Sequence, residues 1–534
     1  MDLLDTRRPR LFLTLFCLLL WLPGFFTLPP TDRDESRFAQ ASKQMLETGD
    51  YVRIMNGTEP RNRKPIGIYW LQVPFAAAAH AVGVATQNPI WPYRLPSLLG
   101  GLGSVLAVFG FGQALVGRRA ALLAAGMLAA SMVLVVETHL AKTDAALLCS
   151  TTVAMGFLSR AYIAPGSMSR MGAGLFWLAI GAGVLLKGPI APMVVAVATA
   201  SLVVLDRKAG WLRALRPGWG VALMFAVVAP WFIAIGMATH GAFFHDAIAG
   251  DLANKLSHGD DAHGAPPGLH LLLMPLLVFP STLLVLLGLP AAWMARREPA
   301  VRFLLAWLVP CWVIFEVVPT KLPHYTLPLY PALCLLGAWA CVTEGRAVCA
   351  WWRRTAQTVT VLAALCVVVG SLAVAWIAGE PWMAAPTIVA AATLGWIACS
   401  PRGAITALAA MPVLTAALLG WQVPRAEALW LAPRAEQAMQ AAGLEGSRLG
   451  SVGFHEPSLV FLAGTQTDLL PTGEAGAQAL ATGEVGALLV AERDEAAFAA
   501  AAAQRGLVSV RVGLIEGFNY SRGRFTALGL YRRQ

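Results

Sequence analysis

Apolar runs of roughly 17–25 residues recur from Leu11 to Trp421, and each is long enough to cross a bilayer. The chain of 534 residues is 57% hydrophobic and only 13% charged. Charge kept in such a chain needs a partner or a task, because an ionisable side chain in hydrocarbon costs about 3 kcal/mol on insertion scales. A net charge of +10 would suggest nucleic acid in a soluble protein. Here most of the excess lies in short loops between apolar runs, where it sets topology, so no nucleic-acid partner is implied. The eight cysteines, from Cys17 to Cys399, sit within or beside apolar runs and show no CxxC or Cys/His metal spacing. They read as small hydrophobes in helices. Neither a P-loop nor a dinucleotide fingerprint is visible, so no nucleotide site is expected.

The first run, Leu11 to Pro30, follows Arg7, Arg8 and Arg10 and lacks a small-x-small cleavage site, so it reads as a retained anchor. Further runs start near Arg94, Arg119, Asp144, Met171, Pro189, Trp219, Leu269, Val301, His324, Thr355, Met383 and Gly403. Together they predict an all-α polytopic membrane protein of about thirteen transmembrane helices. The run Ile68 to Val84 is interrupted by Gln72, Pro74 and His80. If it lies on the outer surface, the loops with Arg118-Arg119, Arg160, Arg170, Arg207-Lys208, Arg296-Arg297, Arg353-Arg354 and Arg402 all become cytoplasmic. If it spans, they face outward against the positive-inside trend. We therefore take it as an interfacial or re-entrant helix. Asp34, Lys64, Asp144, Lys187, the Asp251 to His263 loop and Lys321 to Tyr325 then share the outer face.

Residues 425–534 differ in kind. Short β-like runs (Gly450 to Phe454, Gly486 to Val490, Leu507 to Val512) alternate with an alanine-rich helical stretch, Glu495 to Gln504. This predicts a small α/β domain, outside and covering the site. Residues 1–424 form the membrane domain, with an external loop at 31–93.

From Thr31 to Thr48 the pattern predicts an amphipathic helix capped by Asp32 and ended by Gly49. Phe38, Ala41 and Met45 share its apolar face, while Arg37, Gln40, Gln44 and Glu47 populate its polar side. Asp34 and Glu35 fall in its first turn, as a general base or merely as complements of the helix dipole. Lys64 lies between Arg61, Arg63 and Pro65, an outward basic cluster suited to a lipid phosphate or to headgroup attraction. Asp144 opens a span as catalytic candidate or N-cap, and Lys187 closes one as ligand or snorkelling cation. The loop Thr239 to Gly268 holds His245, Asp251, Lys255, Asp260, Asp261 and His263. Imidazole and carboxylate suit a divalent metal, with His245 and His263 as candidate ligands, but no HExxH spacing accompanies them; a solvated polar loop is the alternative. The turn Lys321-Leu322-Pro323-His324-Tyr325 could grip a phosphate or serve as a topogenic loop with a belt tyrosine.

These residues together resemble the membrane-embedded, lipid-phosphate-dependent glycosyltransferases of the GT-C type. The nearest likeness is to lipid A aminoarabinose transferases, with protein O-mannosyltransferases more distant. The resemblance rests on Asp34 to Phe38 with Met45 to Tyr51, on Lys64-Pro65 with Tyr69 to Leu71, and on Arg94 to Ser97. It continues through Thr143-Asp144, Leu186 to Pro189, Lys321 to Tyr325 and Leu327 to Pro331. It implies Asp34 as the catalytic residue, with Glu35 and Asp144 beside it. It implies Lys64 and Tyr325 as contacts to the carrier phosphate, with Arg37, Lys187, Lys255 and Lys321 as further substrate-binding candidates. Aminoarabinose transferases often carry a metal-associated glutamate before that lysine, where this chain has Arg63.

The expected function is sugar transfer from a polyprenyl-phosphate donor to an envelope glycolipid, lipopolysaccharide-like, or another periplasmic acceptor. The expected setting is the periplasmic side of a bacterial inner membrane. The alternative is a polytopic lipid or solute transporter, which should place polar groups near mid-bilayer and often shows two related halves.

Overall fold

A computed structural model describes residues 6–83, 88–248, 264–343 and 349–534. Lys255 and His263 lie outside these. The chain starts with α1 (Pro9–Trp21), α2 (Arg33–Thr48), α3 (Gly67–Ala81) and α4 (Trp91–Val116), and a two-stranded hairpin, β1 (Met55–Asn56) and β2 (Glu59–Pro60), lies between α2 and α3. Next come α5 (Arg118–Ala130), α6 (Met132–Thr138), α7 (Asp144–Ile163) and α8 (Arg170–Lys187). Among the described residues, 8 helices are long and apolar enough to cross a membrane: α4, α7, α8, Pro217–Ala238, Pro299–Val317, Pro323–Val342, Ala350–Ala378 and Pro401–Arg425. The pair α5 and α6 passes the same test jointly but bends by 59° at Ser131. Shorter apolar helices are α1, Ile190–Asp206, Thr282–Met294 and Pro381–Ile397. The run expected to start at Leu269 is broken into Leu269–Leu277 and Thr282–Met294.

The interrupted run forms α3, whose polar residue is the key to its position. Gln72 is fully buried. It accepts from Ser42 Oγ (2.6 Å) and donates to the carbonyls of Tyr93 (3.2 Å) and Ala141 (3.1 Å). A buried amide with three partners ties α3 to α2, to the start of α4 and to the segment before α7. Trp70 and Leu71 are left on the exposed side.

The C-terminal region builds a five-stranded sheet from β3 (Leu449–Val452), β4 (Asp468–Leu470), β5 (Ala487–Ala491), β6 (Ser509–Asn519) and β7 (Arg524–Arg533), in the order β4-β3-β5-β7-β6. β3 runs parallel to β4 and β5, while β7 is antiparallel to β5 and β6. β4 and β7 went unread in the sequence. The domain packs directly on the helices before it. Leu431, Ala435, Leu459 and Phe461 share one core with Ala39, Ala76, Ile90, Tyr93 and Ala141.

This docking corrects the expected polar face of α2. Gln40 is buried and donates to Thr465 Oγ (2.8 Å), which in turn donates to Glu47 (2.7 Å). Lys43 Nζ reaches the Phe461 carbonyl at 3.2 Å. Gln40 and Lys43 are thus covered by the C-terminal domain, while Glu47 meets Thr465 at its exposed edge.

Glu436 stands in the field of Lys43, and burial pushes its carboxyl up to about 7 against the pull of that lysine. The folded state therefore holds a proton that the unfolded state has lost above about pH 4.3, and its contribution to stability falls as pH rises towards 7. Glu436→Gln should raise stability at pH 8 by about 1 kcal/mol, discounted for partial exposure, and change it little at pH 4. Melting curves at the two pH values test this. An equal shift at both would show that the charge is not the cause.

Candidate active site

Asp32 sets the geometry of the first turn of α2. Its Oδ1 accepts from the backbone N–H of Asp34 (2.6 Å) and Glu35 (3.3 Å), satisfying donors that a helix start leaves open. The two neighbouring carboxylates are thereby sent to opposite sides. The Asp34 side chain is 49% exposed and that of Glu35 is 0%.

Glu35 belongs to the scaffold, contrary to the catalytic reading. It pairs with Arg94 Nε at 2.7 Å and Nη2 at 3.2 Å, and accepts from the N–H groups of Thr31 (2.9 Å) and Ala141 (3.0 Å). Arg94 also donates to the carbonyls of Leu28 and Pro29, both at 2.8 Å. This pair joins the chain after α1, the start of α2 and the start of α4.

Asp34 faces Arg37 Nη1 at 3.2 Å and Arg61 Nη2 at 3.4 Å. Burial favours its neutral form, but the two guanidinium groups outweigh it and hold the carboxyl well below its ordinary range. Arg61 lies against the Phe38 ring, 5.0 Å from its centroid. It is the member of the basic cluster that reaches Asp34; Lys64, the residue the sequence favours in that cluster, is half-buried and also engaged. Asn62 donates to Asp246 at 3.0 Å, tying this loop to the segment after Pro217–Ala238.

A second arm of polar and ionisable side chains starts from the other oxygen of Asp32. Lys142 Nζ lies 3.4 Å from Asp32 Oδ2 and 3.5 Å from Glu137 Oε1. His324 places Nδ1 3.4 Å from Glu137 and Nε2 3.7 Å from Asp144. Asp144 Oδ1 receives Lys187 Nζ at 2.5 Å, and that ammonium is 5.0 Å from the centre of the Tyr325 ring. Burial works against the charge on Lys142, yet Glu137 and Asp32 together hold it protonated, above its ordinary range. The bend at Ser131 lets α6 bring Glu137 to this line. So Asp144 is more than a helix cap and Lys187 more than a snorkelling helix end.

Two expected residues stand elsewhere. Lys321 is buried and spends its ammonium on the carbonyls of Ala265 (2.8 Å) and Val318 (2.7 Å), strapping two segments together. His245 is 81% exposed and lies 3.4 Å from Asp246. Among the described residues no group of three or more His, Cys, Asp or Glu is arranged to hold a metal ion. Lys255 and His263 fall outside the described residues. The sequence reading missed Glu137 and Lys142, and it named Arg61 only as a flank of Lys64. Its available signal was Glu137, His139, Lys142 and Asp144 crowded between two apolar runs, of which it took only the last.

The sequence pattern of the dolichyl-phosphate-mannose-protein mannosyltransferase family matches residues 63–233. An undecaprenyl phosphate-alpha-4-amino-4-deoxy-L-arabinose arabinosyl transferase from Pectobacterium carotovorum is 28% identical over 343 residues. That alignment takes in 62% of this chain and 59% of the relative, so this chain spans less than two thirds of the relative's length. The same-named protein of Aeromonas salmonicida is 29% identical over 348 residues, 61% of this chain and 58% of that one. Among solved structures, ArnT from Cupriavidus metallidurans bound to undecaprenyl phosphate superposes with a TM-score of 0.75 over 97% of both chains, at 18% identity. The two share one fold. The resemblance read from the motifs thus holds for sequence and architecture alike, and the likeness to ArnT takes in the C-terminal domain as well as the bundle. The oligosaccharyltransferase AglB of Archaeoglobus fulgidus, in complex with an inhibitory peptide and a dolichol-phosphate, is more distant: TM-score 0.51 and 11% identity over 90% of this chain and 69% of that one.

Proposed function

We propose that this chain is an integral-membrane glycosyltransferase, moving a sugar from a polyprenyl-phosphate carrier to an envelope glycolipid or another acceptor. One observation carries the reading: Asp34, with Arg37 and Arg61, and the line from Asp32 to Lys187 and Tyr325 meet at one end of a bundle that shares the ArnT fold. Its anionic and cationic groups are arranged for both halves of the reaction. As the acceptor oxygen attacks the anomeric carbon, the bond from that carbon to the carrier phosphate breaks. Asp34 orients the acceptor and takes its proton where it has one. Held by two arginines it is a weak base, and an anionic substrate that draws them away restores its basicity. The leaving phosphate gains negative charge, and we assign its stabilisation to Lys64, Lys187 and Tyr325. A cation at 4 Å contributes about 4 kcal/mol at an effective dielectric near 20.

If the bent pair and the four shorter apolar helices all cross, the bundle has about thirteen spans in the order expected from the sequence. The arginine-rich loops then face the cytoplasm, and the site and C-terminal sheet face the periplasm of a bacterial inner membrane. Trp376, exposed at the end of Ala350–Ala378, meets Phe525 of β7 edge-on at 6.2 Å, which supports a membrane interface beneath the sheet. The transporter alternative fits less well, since the charged line lies at one end of the bundle rather than along a path through it.

The donor site gives the test. Lys64→Ala should weaken polyprenyl-phosphate binding roughly ten- to a hundredfold, the equivalent of one charge-assisted contact. Lys187→Ala alone should also cost folding, because Asp144 would be left buried without its ammonium. Lys187→Ala combined with Asp144→Asn separates the two effects. Carrier affinities of purified variants in nanodiscs decide the matter. Unchanged affinity in both Lys64→Ala and the double variant would remove the carrier from this site.

A further inference from the structure

The opposite end of the bundle carries a second concave feature. α1, α5 and Pro401–Thr415 begin at that end, away from Asp34, and an apolar groove of about 380 Å³ runs between them. Phe12 and Leu19 of α1, Leu122 of α5 and Ile405 line it, with Gly126 in its floor. Next to it on α1, a recess of about 440 Å³ is lined by Arg8, Arg10, Arg118 and Gln113. Helical spacing continues the basic residues into the groove. Arg8 stands one turn before Phe12, Arg118 one turn before Leu122, and Arg402 one turn before Ile405. Arg8, Arg118 and Arg402 are all exposed, and Arg118 also donates to the Thr6 carbonyl at 2.7 Å. A charge-selected topology would place arginines at this end, but it would not need a cavity beneath them.

We propose that this groove and recess form a binding site for an anionic phospholipid of the adjoining leaflet. Its phosphate would lie among Arg8, Arg118 and Arg402, and an acyl chain would lie along α1 as far as Leu19. Charge complementarity selects an anionic over a zwitterionic headgroup, because a guanidinium fork binds phosphate strongly when no ammonium on the same headgroup competes. The site lies far from Asp34, so it tunes the bundle rather than the chemistry, and it does not depend on the sugar-transfer reading.

Native mass spectrometry of the full chain in detergent, titrated with phosphatidylglycerol or phosphatidylethanolamine, tests the proposal. Wild type should retain phosphatidylglycerol at least tenfold more than phosphatidylethanolamine. Two variants should lose retention of phosphatidylglycerol by different routes. A Cβ on Gly126 meets nothing within 4 Å, so Gly126→Phe fills the groove without disturbing the helix. Arg8→Gln with Arg402→Gln removes exposed charges only. Equal retention of the two lipids by wild type would overturn the site. So would full retention of phosphatidylglycerol by both variants, or its ready displacement by polyprenyl phosphate, which would make this a carrier groove.

Discussion

Asp34→Asn should lower sugar transfer by about 10²–10⁴-fold, the range for loss of a positioned general base. The same variant should still insert in the membrane and still bind the carrier. The helix should survive because its cap is Asp32 and its inward anchor is Glu35, neither of which uses the Asp34 side chain. An amide at position 34 keeps the shape but surrenders the charge that faces Arg37 and Arg61. These arginines would then be free to hold an anionic substrate more tightly, so weaker turnover should come with equal or stronger binding. Turnover assays with a polyprenyl-phosphate sugar, alongside carrier binding by the same preparation, separate these outcomes. Near-wild-type turnover would remove Asp34 from the mechanism. Loss of both turnover and carrier binding would instead make it a binding residue.

The largest effect on stability should come from the neighbouring carboxylate. Glu35→Ala or Arg94→Ala should each cost about 3–5 kcal/mol, the usual result of stranding one charge of a buried pair. For a domain whose total stability is about 5–15 kcal/mol, such a loss is expected to deplete folded protein in the membrane. Joining the two substitutions should cost less than their sum, since no uncompensated charge remains. It should still cost more than nothing. Glu35 also accepts from Thr31 and Ala141, and Arg94 also holds the carbonyls of Leu28 and Pro29. Monodisperse yield and thermal unfolding of the single and double variants measure this. A Glu35→Ala protein as stable as wild type but inactive would return Glu35 to the catalytic set.

Adjacent positions 34 and 35 show where sequence reasoning works and where it stops. Alternation of apolar and polar residues was enough to place both on an interfacial helix, and the topology argument put Asp144, Lys187 and Tyr325 at the same end. Their roles depend on partners far along the chain. Nothing local to Glu35 points to Arg94, and family motifs alone singled out the arginine. Glu137 was hidden for a related reason. It ends what reads as a single apolar run, and the bend at Ser131 that turns it inward has no proline or glycine to announce it. Lys321 had the right composition and the right turn, but its ammonium is already held by two carbonyls. The metal suggestion for His245 rested on counting ligand types in a polar loop, a signal with no geometry in it.

The hydrogen bond from Gln40 to Thr465 spans 425 residues of sequence. At roughly 5–20 residues per second, a ribosome needs on the order of tens of seconds to make that interval. During this time α2 exists with its membrane-side partners but without the surface that covers Gln40 and Lys43. The helix that bears Asp34 is therefore made well before the surface that completes it. A nascent chain halted after the last apolar helix would carry every charged residue of the catalytic end, yet leave that helix half-seated. Completion of α2 waits for the segment around Thr465.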